Sequence, residues 1–258
     1  MVNTRIILKS IEDAIGKCGV YTGIISSLGN NLKHTLNEFS KSTRELPYEK
    51  AIVIDDKGNT LLEFGDKSNK EVSLDNKKIL DLLNDNPNIQ LHLEHNHPGP
   101  QYGYDMDTGF ATALSKPDME MLLYSTGEND DFGRPLFIFN SVTADCSNGS
   151  RMTLKRNTPF PIDIERYREA EQHLLDNFNK LTSATNEYTH EITQKDYLDD
   201  EGNLKIPTDE GEQQALLDKA HNIQKKYAKK NTESFFKDNV KEFEDLGFEL
   251  SFGWVKNK

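Results

Sequence analysis

The sequence predicts an α/β chain, with a mixed body of strands and helices to about residue 158 and a helical region after it. Three observations predict this. Between Pro47 and Arg156, short alternating or β-branched apolar runs are punctuated by Gly, Pro, Asn and Asp and interleave with short amphipathic stretches. Past Pro159 and Pro161, apolar residues recur every three or four positions instead. A length of 258 residues, 35% of them hydrophobic, suffices for one large domain or two modest ones. The organisation expected is an N-terminal helical segment (1–43), a sheet-bearing body (44–158) and a helical C-terminal region (159–258).

In chain order, Ile6, Ile7, Ile11, Ala14 and Ile15 have helical spacing, so a first helix is expected over residues 4–17. Val20 to Ser42 contains helical stretches but carries Gly23 and Gly29, which leave it unassigned. Ala51 to Ile54 and Thr60 to Phe64 read as two strands joined by a tight turn at Asp56-Lys57-Gly58-Asn59. Asn76 to Asn84 is a short amphipathic helix stopped by Asn86-Pro87, and Ile89 to Glu94 alternates like a strand with one buried face. A Gly/Pro/Tyr/Asp-rich loop follows to about Leu114. Ser115-Lys116-Pro117-Asp118 then opens a helix expected to run through Met119 to Thr126. Pro135 to Val142 reads as one strand, and Arg151 to Arg156 as its hairpin partner across Ser147 to Ser150. Ile164, Tyr167, Ala170, Leu174, Phe178 and Leu181 form one apolar helical stripe, and a second helical stretch spans about Asp209 to Leu246. Phe248, Leu250, Phe252 and Trp254 alternate, which predicts a final strand that packs on the helices or offers a partner-binding edge.

Composition narrows the function. With 43 Asp+Glu against 31 Lys+Arg the net charge is −12, the wrong sign for a general binder of nucleic acid or acidic membranes. Cys18 and Cys146 are too few for a disulfide scaffold or a four-cysteine zinc site. The first ten residues are polar and lead into no apolar signal core, and no apolar run approaches a membrane span. The expectation is a protein of a reducing, cytoplasmic compartment.

Chemistry concentrates in Leu91-His92-Leu93-Glu94-His95-Asn96-His97-Pro98. If the strand continues through His95 and His97, both imidazoles project to one side, the side of Ile89, Leu91 and Leu93. Two nitrogens aimed together from a buried strand suit Zn²⁺, though a surface loop with incidental histidines has the same spelling. Downstream, Ser115 and Asp118 have the spacing of a helix-capping box, and an Asp fixed at a helix start can also point into a site. Upstream, Glu49 immediately precedes a strand. A free carboxylate beside a metal can take a proton from water and deliver it to a leaving amine.

Together, Glu49, His95-Asn96-His97-Pro98 and Ser115-Lys116-Pro117-Asp118 resemble the JAMM motif of MPN/JAB-domain zinc metallopeptidases, most closely the bacterial RadC-type branch. The resemblance covers about residues 44–156. It implies an MPN/JAB-like curved mixed sheet flanked by helices, here with an added helical C-terminal region. It implies His95, His97 and Asp118 as zinc ligands, Glu49 as general base and acid, and Ser115 as a group steadying the oxyanion. The implied reaction is zinc-dependent hydrolysis of a peptide or isopeptide bond in a protein or peptide substrate, ubiquitin-like tails included. Neither nucleic acid nor membrane is an expected partner, and oligomeric state is left open.

The chain departs from the family in one interval. Seventeen residues separate His97 from Ser115, more than the family usually has. The extra length holds Tyr102, Tyr104 and Asp107, candidates for a substrate-contacting loop. Asp107 also competes as the third ligand, but Ser115 and the apolar helix after it favour Asp118. Three other readings compete. An HNH nuclease lacks a closing His or Asn one helix downstream. The DNA-handling role traditionally attached to RadC-type proteins gains nothing from the acidic charge. A catalytically inactive MPN-like scaffold would usually have lost ligands that are all present here.

Overall fold

The computed structural model describes residues 18–67, 72–86, 89–98, 113–129, 135–158, 162–196 and 209–255, with isolated positions 198, 201, 205 and 207. For residues 18–30, 125–129, 135, 136 and 195 only the backbone is described. The expected first helix at 4–17 and the loop residues Tyr102, Tyr104 and Asp107 lie outside the described residues.

The architecture is mixed α/β, a six-stranded mixed sheet flanked by helices. Among the described residues helix α1 (Cys18–Thr43) comes first, and it includes the stretch that Gly23 and Gly29 left unassigned. Strands β1 (Ala51–Asp55) and β2 (Thr60–Phe64) form the expected antiparallel pair. Asp55 fixes their turn by accepting from the Lys57 and Asn59 amides at 2.9 and 2.8 Å. Gly58 closes it at φ +82°, where a Cβ would lie 2.7 Å from the Asn31 carbonyl carbon.

Helix α2 (Asn76–Asp85) is capped by Asp75, and β3 (Leu91–His97) then crosses the centre of the sheet with all seven residues buried. β3 pairs antiparallel with β1 and parallel with β6 (Phe139–Cys146). β7 (Ser150–Arg156) returns beside β6 as expected, and β8 (Phe248–Trp254) pairs with β7. The strand order is β2-β1-β3-β6-β7-β8. Period-two alternation divides β1 between two cores. Ile52 and Ile54 pack under α1 with Phe39, while Ala51 and Val53 join Leu91, Leu93 and the main core.

Two elements differ from expectation. The helix after Ser115 is short: α3 (Lys116–Glu120) passes into a 3₁₀ turn (Met121–Leu123), and Tyr124 is already extended. Ser125–Asn129 forms β4, paired with β5 (Pro135–Phe137) in a separate small sheet. The expected single strand Pro135 to Val142 is therefore two strands. Ile138 hands the chain from one sheet to the other, its amide donating to the Tyr124 carbonyl at 3.0 Å.

Helices α4 (Ile164–Thr193) and α5 (Glu210–Asp245) pack on each other, with α5 also against β8. Tyr167, Ala170, Leu174, Phe178 and Leu181 form the buried stripe, and Phe236, Phe243 and Phe248 belong to the same core. Ile164, expected at the head of that stripe, is 51% exposed, because it is the first residue after the Asp163 cap. Beyond Leu181 the buried positions are Thr185, Thr189 and Thr193, whose hydroxyls donate to carbonyls four residues back at 2.7–2.8 Å. No helix among the described residues is long and apolar enough to cross a membrane.

One buried residue on α4 carries a pH prediction. Both carboxylate oxygens of Glu171 are buried with no hydrogen-bond partner among the described residues. Burial, reinforced by Glu120, pushes its pKa up to about 7. The fold therefore holds a proton that the unfolded chain releases. That contribution to stability is present below the ordinary Glu pKa and is lost as pH rises through about 7. Replacing Glu171 with Gln should remove this slope, so the variant gains about 2 kcal/mol on wild type between pH 5 and pH 8. Urea denaturation at the two pH values checks it, and parallel pH profiles would disprove the assignment.

Candidate metal centre

The centre forms where the end of β3 meets the start of α3. Because β3 does extend through residue 97, His95 and His97 share the face of Leu91 and Leu93. Their Nε2 atoms stand 3.0 Å apart, and both rings are buried. Asp118 reaches them from α3, with Oδ1 3.2 Å from His95 Nε2 and Oδ2 3.7 Å from His97 Nε2. The three donors lie within 4.8 Å of one another and could hold a metal ion. Asp118 is 18% exposed, so the cluster opens to solvent on its carboxylate side.

Packing holds α3 in place. Ala113, Leu114, Met119 and Leu122 are fully buried, and the Tyr167 hydroxyl donates to the Met119 carbonyl at 2.8 Å. Arg156 donates to the Leu122 carbonyl through Nη2. Ser115 caps the helix, and its hydroxyl and amide both donate to Asp118 Oδ2 at 2.7 Å. The Asp118 amide returns a bond to Ser115 Oγ at 3.3 Å. The capping box and the metal-facing carboxylate are thus one structure, and the Ser115 hydroxyl is spent on aiming Asp118.

Electrostatics fit a cation. Burial disfavours ionised Asp118, but His95 and His97 outweigh it and hold the carboxyl well below its usual range. Burial likewise opposes protonation of His95, yet Asp118, Glu49 and Asp145 raise its pKa. Two imidazole nitrogens facing each other at 3.0 Å can share one proton or one metal ion, and two His with one carboxylate is a donor set suited to zinc. Among the described residues His95 Nδ1 has no partner, which leaves one ring nitrogen unsatisfied there in either tautomer.

Glu49 lies near enough for its charge to act on His95, and its Oε2 accepts from the Val72 amide at 3.1 Å. His92 belongs to the opposite face of β3. Its Nδ1 meets Ser141 Oγ at 2.7 Å and its Nε2 meets Asp56 at 2.8 Å, so it stands outside the cluster as a satisfied core histidine. His190 and His221 are exposed, and His173 pairs with Glu242 at 3.0 Å, so none of the three belongs to the cluster. The sequence reading missed Asn96, whose side chain bonds the backbone around Glu49. It also missed the buried Glu94–Asp145–Arg151 group behind the histidines. An Asn and a Glu on the second face of a wholly buried strand were the available signal. Compared with protein-family models, curated proteins and solved structures, the chain matches none.

Proposed function

We propose that the chain is a zinc-dependent amide hydrolase of the JAMM type, acting on a peptide or isopeptide bond. The observation that carries this reading is the convergence of His95, His97 and Asp118, with the Glu49 carboxylate acting on the same cluster. His95 Nε2, His97 Nε2 and an Asp118 oxygen would hold the ion. Bound there, zinc would supply Lewis acidity to polarise a substrate carbonyl and acidify water. Glu49, which contributes no donor to the cluster, takes the water's proton at a carboxylate oxygen and gives it to the departing amine. Asp118 stays ionised throughout, its position fixed by the Ser115 bonds.

Elemental analysis of protein purified without chelator tests the metal assignment. Wild type should carry about one zinc per chain, and His95→Ala/His97→Ala should carry none. Asp118→Ala should lose the metal and Asp107→Ala should keep it. A wild-type chain that neither carries nor takes up zinc would sink the reading.

A further inference from the structure

We infer that Asn96, the residue between the two histidines, is a positioning residue that sets the backbone of Glu49. This rests on the proposed role of Glu49 as proton carrier. Asn96 cannot join the donor cluster, because strand alternation turns it to the face opposite His95 and His97. It reaches sideways in the sheet instead. The β1–β3 ladder ends at the pair Ala51–His95. Beyond that point the Asn96 amide donates to the Lys50 carbonyl at 3.1 Å. Its side-chain Oδ1 accepts from the Lys50 amide at 2.6 Å, and Nδ2 donates to the Tyr48 carbonyl at 3.2 Å.

The last two bonds matter because of which peptide groups they hold. The Tyr48 carbonyl belongs to the peptide unit entering Glu49, and the Lys50 amide to the unit leaving it. Each unit is planar, so clamping both fixes the two soft torsions between them, φ and ψ of Glu49. One carboxamide thereby does for Glu49 what a strand neighbour would do within a ladder. Asn96 is 2% exposed, so water does not compete well for these bonds.

The opposite side of the same segment is closed by Gly65 at φ +115°, where a Cβ would stand 2.6 Å from the Glu49 carbonyl oxygen. The backbone of Glu49 is thus held between a glycine that permits close approach and an asparagine that grips it. Because His95, Asn96 and His97 are consecutive on one strand, two donors and the clamp for the proton carrier share a single rigid element.

The test uses the full chain loaded with Co²⁺, whose visible spectrum is followed across pH. Wild type is compared with Glu49→Gln, Asn96→Ala, the milder Asn96→Ser, and the double variant Asn96→Ala/Glu49→Gln. Glu49→Gln should move the pH midpoint of the spectrum by roughly one unit, the lower end of what a neighbouring charge contributes. Asn96→Ala and Asn96→Ser should move it in the same direction by half as much or more, with Co²⁺ affinity unchanged. The double variant should match Glu49→Gln alone, since Asn96 acts only through Glu49. Asn96 variants at the wild-type midpoint, additive shifts in the double variant, or loss of Co²⁺ affinity in both Asn96 variants would overturn the inference alone. A wild type that binds no Co²⁺, or a Glu49→Gln midpoint equal to wild type, would instead remove the underlying reading, and the inference with it.

Discussion

Glu49→Gln is expected to lower amide hydrolysis by about two to four orders of magnitude while leaving the metal content unchanged. The substitution is nearly isosteric. The carboxamide oxygen can still accept from the Val72 amide, so the local backbone has no reason to move. What disappears is the capacity to hold a proton and pass it to the departing amine. The donors that would bind the ion all come from His95, His97 and Asp118, so the ion should stay. Quenched-fluorescent linear and isopeptide-linked peptides measure the rate, and elemental analysis measures the metal. A variant that hydrolyses at the wild-type rate would show that another group moves the proton. A variant that loses zinc would place Glu49 in the donor set. His95→Ala gives the contrasting outcome, losing metal and rate together.

Much of the candidate centre was legible because it depends on local periodicity. His95 and His97 share a face for the same reason that Leu91 and Leu93 do, and alternation along seven residues suffices to say so. Asp118 was legible as a cap, since Ser-x-x-Asp before an apolar run has a mechanism of its own. What periodicity could not supply was context. Met119 to Thr126 is too short a run to separate helix from strand, and Tyr-Ser-Thr fits a strand as well. Its outcome was decided by pairing with β5, a segment beyond the reach of local pattern. The break at Ile138 is hidden for the same reason, because Pro135 to Val142 is apolar enough to pass as one strand. Asn96 gave even less away, as its partners lie 46 and 48 positions upstream. A residue that works by gripping another segment's backbone has no signature in its own neighbourhood.

The largest expected loss of stability comes from the residue most hidden in this way. Arg151→Met should destabilise the fold by about 3–5 kcal/mol. The guanidinium donates to both oxygens of Asp145, through Nε at 2.8 Å and Nη2 at 2.9 Å, and to Glu94 at 3.0 Å. It also reaches 115 positions back to the Leu36 carbonyl at 2.8 Å, and bonds Asn37 at 3.1 Å, tying α1 to the sheet. Glu94 and Asp145 are almost wholly buried. Burial first, and then Asp145, drive the Glu94 pKa well above its usual range, with Arg151 opposing. One cation thus serves two carboxylates, and Glu94 is the one pushed toward its protonated form. Removing Arg151 leaves the buried Asp145 carboxylate without its cation, the costly half of a broken buried pair. Removing the Asp145 charge as well should return part of the loss, so Arg151→Met/Asp145→Asn is expected to be more stable than Arg151→Met alone. Glu94→Gln should cost under about 1 kcal/mol, because it replaces a group already pushed toward its neutral form. Urea denaturation of the three variants beside wild type measures these differences. A cost for Arg151→Met below about 1 kcal/mol would mean that water reaches the cluster and screens it. The Asp145 variant separates the two causes of any loss: recovery assigns the penalty to the orphaned charge, and no recovery assigns it to the severed bonds between Arg151 and α1.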